Sequence, residues 1–186
     1  MAVDPSKVDV GIAGAVSKAP LGTAAPTTAI VALDAAFNDA GAISEDGITL
    51  SLPDGGDSTP IKAWQNGQTV RTLRMTSDDL PSLTFTFLET NKTSVETYFG
   101  TSVTQSGTEG TFTYTVGLAP MAAYVLDVID GAKSKRFHIP RGARVEVGDL
   151  VFKNDEAIGY EVTIEAELDP VLGYNFKGWD TGLKTP

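Results

Sequence analysis

The chain has 186 residues, with 14 basic and 24 acidic side chains, a formal net charge of −10 and no cysteine. This length predicts one domain, and the missing cysteines exclude a disulfide scaffold, a thiolate metal site and a cysteine nucleophile. The acidic balance argues against a protein that grips nucleic acid by its phosphates. No apolar stretch approaches the roughly 18 residues that a membrane-spanning helix needs.

Residues 1–42 differ in composition from the rest of the chain. Nineteen of these 42 residues are Ala, Gly or Pro, and no sustained hydrophobic period runs through them. We interpret them as an N-terminal arm, which either packs loosely on its own domain or becomes ordered by assembly with a neighbouring subunit. Residues 43–186 are predicted to form one β domain with a C-terminal extension.

The first half of this domain predicts strands and one helix. Residues 47–52 alternate apolar and polar side chains before a Pro-Asp-Gly-Gly-Asp turn. Residues 68–75 and 82–88 flank a second turn and are predicted to form a hairpin. A helix is predicted next, with Thr90 or Asn91 as its N-cap, Glu96, Tyr98 and Phe99 within it and Gly100 as its stop.

The second half predicts strands only. They cover residues 110–116, 121–130, 133–139, 144–152 and 160–169, and the last of these has the strictest alternation of apolar and polar residues. The fold class that follows is mainly β: an antiparallel β-sandwich or open barrel of about eight strands with one flanking α-helix. Residues 82–88 and 111–116 carry threonines where edge strands normally carry charge or proline, and we expect them to be open to further pairing.

No catalytic, cofactor or metal site is predicted. His138 is the only histidine, and a lone histidine in a strand is usually structural. The carboxylates of Glu161, Glu165, Glu167 and Asp169 could bind a cation, and a third-choice reading is a metal-assisted hydrolase. A solvated strand face explains these carboxylates more simply.

Two features are unusual for a self-contained monomer. Residues 131–145 contain five basic residues and no acidic one, whereas residues 146–169 contain eight acidic residues and one basic. The two groups face each other either within one chain or between copies. Trp64 lies in a loop beside a turn, as an interface anchor or as a lid over its own core. The candidate interface residues are Trp64, Lys133, Arg136, Arg141, Arg144, Glu161, Glu165 and Glu167.

Several short segments, in their order and spacing, resemble a known protein family. They are Trp64, Val70-Arg71, residues 85–91, Tyr98-Phe99-Gly100, Gly148-Asp149, residues 157–164 and residues 176–179. Together they resemble the major tail proteins of long-tailed, non-contractile phages (siphophages), and are most similar to those of phages that infect actinobacteria. The resemblance covers about residues 43–180 and fits residues 1–42 less clearly.

The resemblance implies a structural virion protein with the tail tube fold, made in the host cytoplasm and without enzymatic activity or cofactor. Six subunits would form a ring, and stacked rings would form the conduit for DNA ejection. The implied partners are other copies, a tape measure protein in the lumen, and tail-tip and tail-terminator proteins. By analogy with the family's inner wall, the lumen-facing residues would be Thr72, Ser82, Thr84, Thr86 and Asp127. The alternative is a β-sandwich virion surface or adhesion module that binds host carbohydrate.

Overall fold

The computed structural model describes residues 4–183, and its mainly β architecture confirms the predicted fold class. A short 3-10 helix, Pro5–Lys7, comes first, and one α-helix, α1, spans Lys92–Phe99. The strands in chain order are β1 (Ala13–Pro20), β2 (Asn38–Asp39), β3 (Ile43–Ser51), β4 (Ser58–Lys62), β5 (Thr69–Arg74), β6 (Ser82–Phe87), β7 (Thr104–Ser106), β8 (Glu109–Thr111), β9 (Ala122–Asp130), β10 (Lys133–Val147), β11 (Tyr160–Ala166) and β12 (Lys177–Asp180).

Eight strands form one antiparallel sheet that folds over into two layers. Its order is β2-β1-β9-β10-β11-β6-β3, and β12 pairs with β10. The first half of β10 pairs with β9 and β12, and its second half pairs with β11. The strand therefore leaves one layer and enters the other, which gives the sandwich.

The change of layer occurs at a bulge between Ile139 and Gly142 in β10. Pro140 has no N–H to donate to the ladder. A Cβ atom at position 142 would lie 2.5 Å from the ring of Tyr124, so only glycine fits there. The sequence predicts two strands separated at this point, and the structure has one bent strand instead.

The core lies between the two layers and is built by alternate residues of each strand. Leu83, Phe85 and Phe87 of β6 are at most 2% exposed, and they meet Val162 and Ile164 of β11, which are fully buried. Burial of each such side chain stabilises the fold by about 1.5–3 kcal/mol. The alternation that predicted strands 82–88 and 160–169 is thus the core pattern.

Part of the predicted arm lies inside the main sheet. Strand β1 pairs along its whole length with β9, and Val16 is fully buried. Alanine and glycine make this strand hard to detect because their small side chains give little contrast in hydropathy.

A second covered surface lies on the face of β9 and β10 that points away from the core. Val125 and His138 on this face are almost fully buried, beneath Phe37 of the N-terminal region and Tyr174 of the C-terminal region. Parts of the N-terminal region therefore contact the sheet of their own chain, and ordering of residues 1–42 by assembly stays a prediction.

Four further strand predictions are wrong. Residues 68–75 do not pair with residues 82–88, because β5 pairs with β4 while β6 lies between β11 and β3. The apolar face of β6 needs core partners on both sides, so β6 is not an open edge. Residues 112–116 form no strand, although they alternate apolar residues with threonine, and residues 148–152 also lie outside β10.

The helix prediction is confirmed, including both ends. The Asn91 side chain accepts a hydrogen bond from the Ser94 N–H, and the Ser94 hydroxyl accepts one from the Asn91 N–H. Gly100 ends the helix with φ 66°, in the left-handed region that favours glycine. Among residues 4–183, no helix is long and apolar enough to cross a membrane.

Candidate functional site

The outward face of β3, β6 and β11 carries hydroxyl and carboxylate groups. Because side chains alternate along a strand, these residues point away from the core. In the sheet register Glu161 stands opposite Thr86, Thr163 opposite Thr84, and Glu165 opposite Ser82. We call this surface the hydroxyl–carboxylate face; its residues are Thr49, Ser51, Ser82, Thr84, Thr86, Glu161, Thr163 and Glu165.

The face is polar, anionic and ordered. The Thr84 and Thr163 hydroxyls are hydrogen-bonded across the strands at 3.1 Å. None of the eight residues is cationic, and Glu161 and Glu165 supply the negative charge. Such a surface offers a phosphate group no cation to pair with, and its negative charge acts over a Debye length of about 8 Å at physiological salt.

The carboxylates of this face do not converge on a metal site. Glu161 and Glu165 face hydroxyl groups of β6 rather than further carboxylates. Within the described part of the chain, no group of three or more His, Asp or Glu residues is placed to hold a metal ion.

The face brings together residues that the sequence analysis assigned to two different surfaces. Ser82, Thr84 and Thr86 are predicted lumen residues, whereas Glu161 and Glu165 are predicted interface residues. The strand pairing that joins them links positions about 80 residues apart, so no local sequence signal reveals it.

The other two predicted lumen residues lie elsewhere. Thr72 is on β5, outside the main sheet. Asp127 is on the covered face of β9, where its two carboxylate oxygens accept hydrogen bonds from Arg136 at 2.6 and 2.9 Å.

All five cations of residues 133–144 have partners in their own chain. Arg136 is 7% exposed, and besides Asp127 it donates to the carbonyl groups of Thr28 and Val31. The other contacts are Lys133 with Asp9, Lys135 with Asp9 at 2.7 Å and with Asp180 at 2.8 Å, Arg141 with Glu167 at 3.7 Å, and Arg144 with the Tyr98 carbonyl. Of these five, only Arg141 contacts a carboxylate of residues 146–169, so the basic and acidic runs do not face each other as groups within the chain, and an interface role for these residues stays a prediction.

The comparison with known proteins agrees with this architecture. The family model for phage tail tube proteins matches residues 1–169. The chain belongs to the phage tail tube protein family. The match includes residues 1–42, where the resemblance described in the sequence analysis is less clear. No curated protein matches the chain. As a tail tube protein, it is a structural component of the virion tail.

The tail tube protein also presents an exposed element outside the sandwich. Strands β4 and β5 pair only with each other, and every residue of both is exposed. We call residues 58–74 the β4–β5 hairpin. Trp64 at its tip is 99% exposed, which excludes the prediction of a lid over the core.

The β4–β5 hairpin carries unpaired positive charge. Lys62, Arg71 and Arg74 have no ion-pair partner among residues 4–183, and no acidic residue lies between Asp57 and Asp78. Within residues 4–183, three cations without an ion pair therefore lie together on the hairpin, outside the basic run that the sequence analysis selected.

One edge of the hairpin is open to further strand pairing and the other is blocked. The Met75 N–H donates to the Asp57 carbonyl at 2.9 Å. In the register of the hairpin, every second pair of opposite residues counted from this one is hydrogen-bonded. Residues of the pairs in between direct their N–H groups away from the opposite strand of the hairpin. Position 60 on β4 is one of them, but Pro60 has no N–H group to offer another strand. Thr72 and Arg74 on β5 direct their N–H groups outward, so β5 is the edge that can accept another strand.

Proposed function

We propose that six copies of this protein form a ring, and that stacked rings form the tail tube through which DNA passes during ejection. The observation that carries the proposal is the hydroxyl–carboxylate face, which we place on the wall of the bore. The protein's role is structural, with no catalysis, cofactor or metal.

A conduit must not bind its cargo. Double-stranded DNA carries one charge per roughly 1.7 Å of its axis, and each Lys or Arg that neutralises a phosphate adds binding free energy by releasing counterions. A wall of threonine, serine and glutamate adds no such free energy. Thr72 does not fit this wall because Arg74, on the same side of β5, has no carboxylate partner among the described residues.

The β4–β5 hairpin is the element that we assign to contact between subunits. An isolated two-stranded hairpin is only marginally stable in water, so this one gains most from a partner. It offers the open β5 edge, exposed apolar side chains at Trp64 and Val70, and three unpaired cations. The acidic surface of a neighbouring copy supplies the complementary charge.

The remaining assignments come from the family. The tube has a tape measure protein in its lumen during assembly, and a tail-tip and a tail-terminator protein at its two ends. A long, flexible, non-contractile tail and an actinobacterial host belong to the same proposal.

Reversal of one hairpin charge tests this proposal. We expect Arg74→Glu to keep the melting temperature of the wild type but to prevent tube formation, because β4 and β5 pair with no strand of the main sheet. The matched control is Lys153→Glu, which reverses an exposed charge in the loop between β10 and β11. Negative-stain micrographs of concentrated protein give the readout, with hollow filaments of uniform width expected for wild type and control. Wild-type protein that stays monomeric, or Arg74→Glu filaments equal to wild type, would overturn the proposal.

A further inference from the structure

His138 lies at the centre of the covered face of the first layer. It is on β10, fully buried, and outside the hydrophobic core. The ring of Phe37 meets it edge-on from the N-terminal side at 6.3 Å, and the ring of Tyr174 does so from the C-terminal side at 6.3 Å. The single side chain thus joins two covering segments, which we define as residues 28–37 and residues 169–176.

The hydrogen bonding of His138 suits a neutral ring. Its Nδ1 lies 3.3 Å from the Tyr174 hydroxyl, and its Nε2 is buried with no hydrogen-bond partner in the part of the chain that the structure describes. A charged imidazole carries two N–H donors, and here one of them would have no acceptor. A buried donor left without a partner is strongly unfavourable.

The charged groups around His138 do not compensate for a positive charge. Asp169 is the carboxylate that favours the charged ring, but it accepts bonds from the Val171 and Leu172 N–H groups. The other groups on the packed elements are the Arg136–Asp127 pair on the same face, Arg141 near Asp169, Lys177 opposite His138 on β12, and Asp34 in the N-terminal covering segment.

We propose that His138 is a pH-sensitive clamp, which when neutral holds both covering segments on the sheet and when protonated releases them. Release hydrates the imidazolium and uncovers the apolar surface around Val125. This function is independent of ring assembly, because every group involved lies within one subunit.

The sign of the effect follows from the two states of the ring. Burial lowers the pKa of His138 to about 4 in the closed state, while a hydrated histidine titrates near 6.5. The closed state therefore has its full stability above pH 6.5 and loses it as the pH falls from 6.5 towards 4. At pH 5 the open population should be about 30-fold larger than at pH 7.5.

Hydrogen exchange of the full, untagged chain tests the clamp. With intrinsic rates corrected for pH, wild-type peptides from residues 28–37 and 169–176 should open about 30-fold more often at pH 5 than at pH 7.5. Peptides from β6 and β11 serve as the internal control and should not change. In His138→Phe, which fills the site without a titratable group, the covering segments should lose this dependence. The same dependence in the variant, or none in the wild type, would overturn the proposal.

A second measurement does not need the variant to fold. His138 is the only histidine in the chain, so its ring protons can be assigned in an NMR titration without ambiguity. We expect a midpoint close to 4 in the closed state. A midpoint near 6.5 with unchanged protection of the covering segments would contradict the clamp. His138→Gln, which keeps a partner for the Tyr174 hydroxyl, should behave in exchange experiments as His138→Phe does.

Discussion

At the scale of single residues, Arg136 shows how burial changes the meaning of a charge. In the sequence it is one of five cations in a run that looks like a binding patch. In the structure its guanidinium donates to both Asp127 oxygens and to two backbone carbonyls of the N-terminal region. It therefore fastens that region to the sheet of its own chain.

Loss of the Asp127 carboxylate should destabilise the fold strongly. The Arg136 side chain is 8% exposed, so Asp127→Asn leaves a buried cation without its counter-charge, which typically costs about 3 kcal/mol. The control, Glu167→Gln, breaks the longer and more exposed pair with Arg141 and should cost less than about 1 kcal/mol. Urea unfolding measures both. Equal losses of unfolding free energy for the two substitutions would show that the buried pair contributes no more to stability than the exposed pair.

At the scale of elements, the helix and the β4–β5 hairpin differ in how they are held. Helix α1 has a capping box at its start and a glycine at its end, and its Tyr98 contacts the ring of Tyr160 in the core at 5.4 Å. The hairpin has only its own ladder. The helix is thus part of the folded subunit, while the hairpin depends on what binds it.

The N-cap of α1 should contribute measurably to stability. Asn91→Ala removes the bond to the Ser94 N–H and the bond that the Asn91 amide donates to the Ala40 carbonyl. We expect a loss of about 1–2 kcal/mol in the free energy of unfolding. Lys92→Ala, the neighbouring control, removes only an exposed pair with Glu96 and should cost less than about 0.5 kcal/mol. A smaller loss for Asn91→Ala than for Lys92→Ala would refute the capping argument.

At the scale of the whole molecule, the two outer faces of the sandwich have different environments. The face of the first layer is covered by the N-terminal and C-terminal regions of the same chain. The hydroxyl–carboxylate face of the second layer is left open, and its strand residues are only partly buried. An open, anionic face on a family member that builds tubes is the surface that we assign to the bore.

Lysines on this face should make assembled tubes retain DNA. Thr84→Lys/Thr86→Lys places two cations on the proposed wall, and we expect binding of double-stranded DNA that weakens steeply as salt rises. The control is Thr111→Lys/Thr113→Lys, which adds the same charge at exposed positions outside the face. Co-sedimentation of labelled DNA with tubes at two salt concentrations gives the readout. Equal retention by both variants, or retention by neither, would remove the face from the bore.

The sequence alone determined the features that depend on near neighbours. The alternation in β6 and β11, the cap and stop of α1, and the end of β3 each arise from residues within a few positions of one another. For this reason their locations were predictable, and with them the mainly β class and the family.

Only the tertiary structure decided which strands pair and which charges meet. Strand β5 pairs with β4 instead of β6, β10 continues through its bulge, and Arg136 finds Asp127 inside the fold. Strand pairing is decided by which apolar faces can be buried together, and that depends on residues far apart in the chain. The small side chains of β1 also hid this strand from the sequence, and its place in the sheet comes from β9, more than 100 residues away.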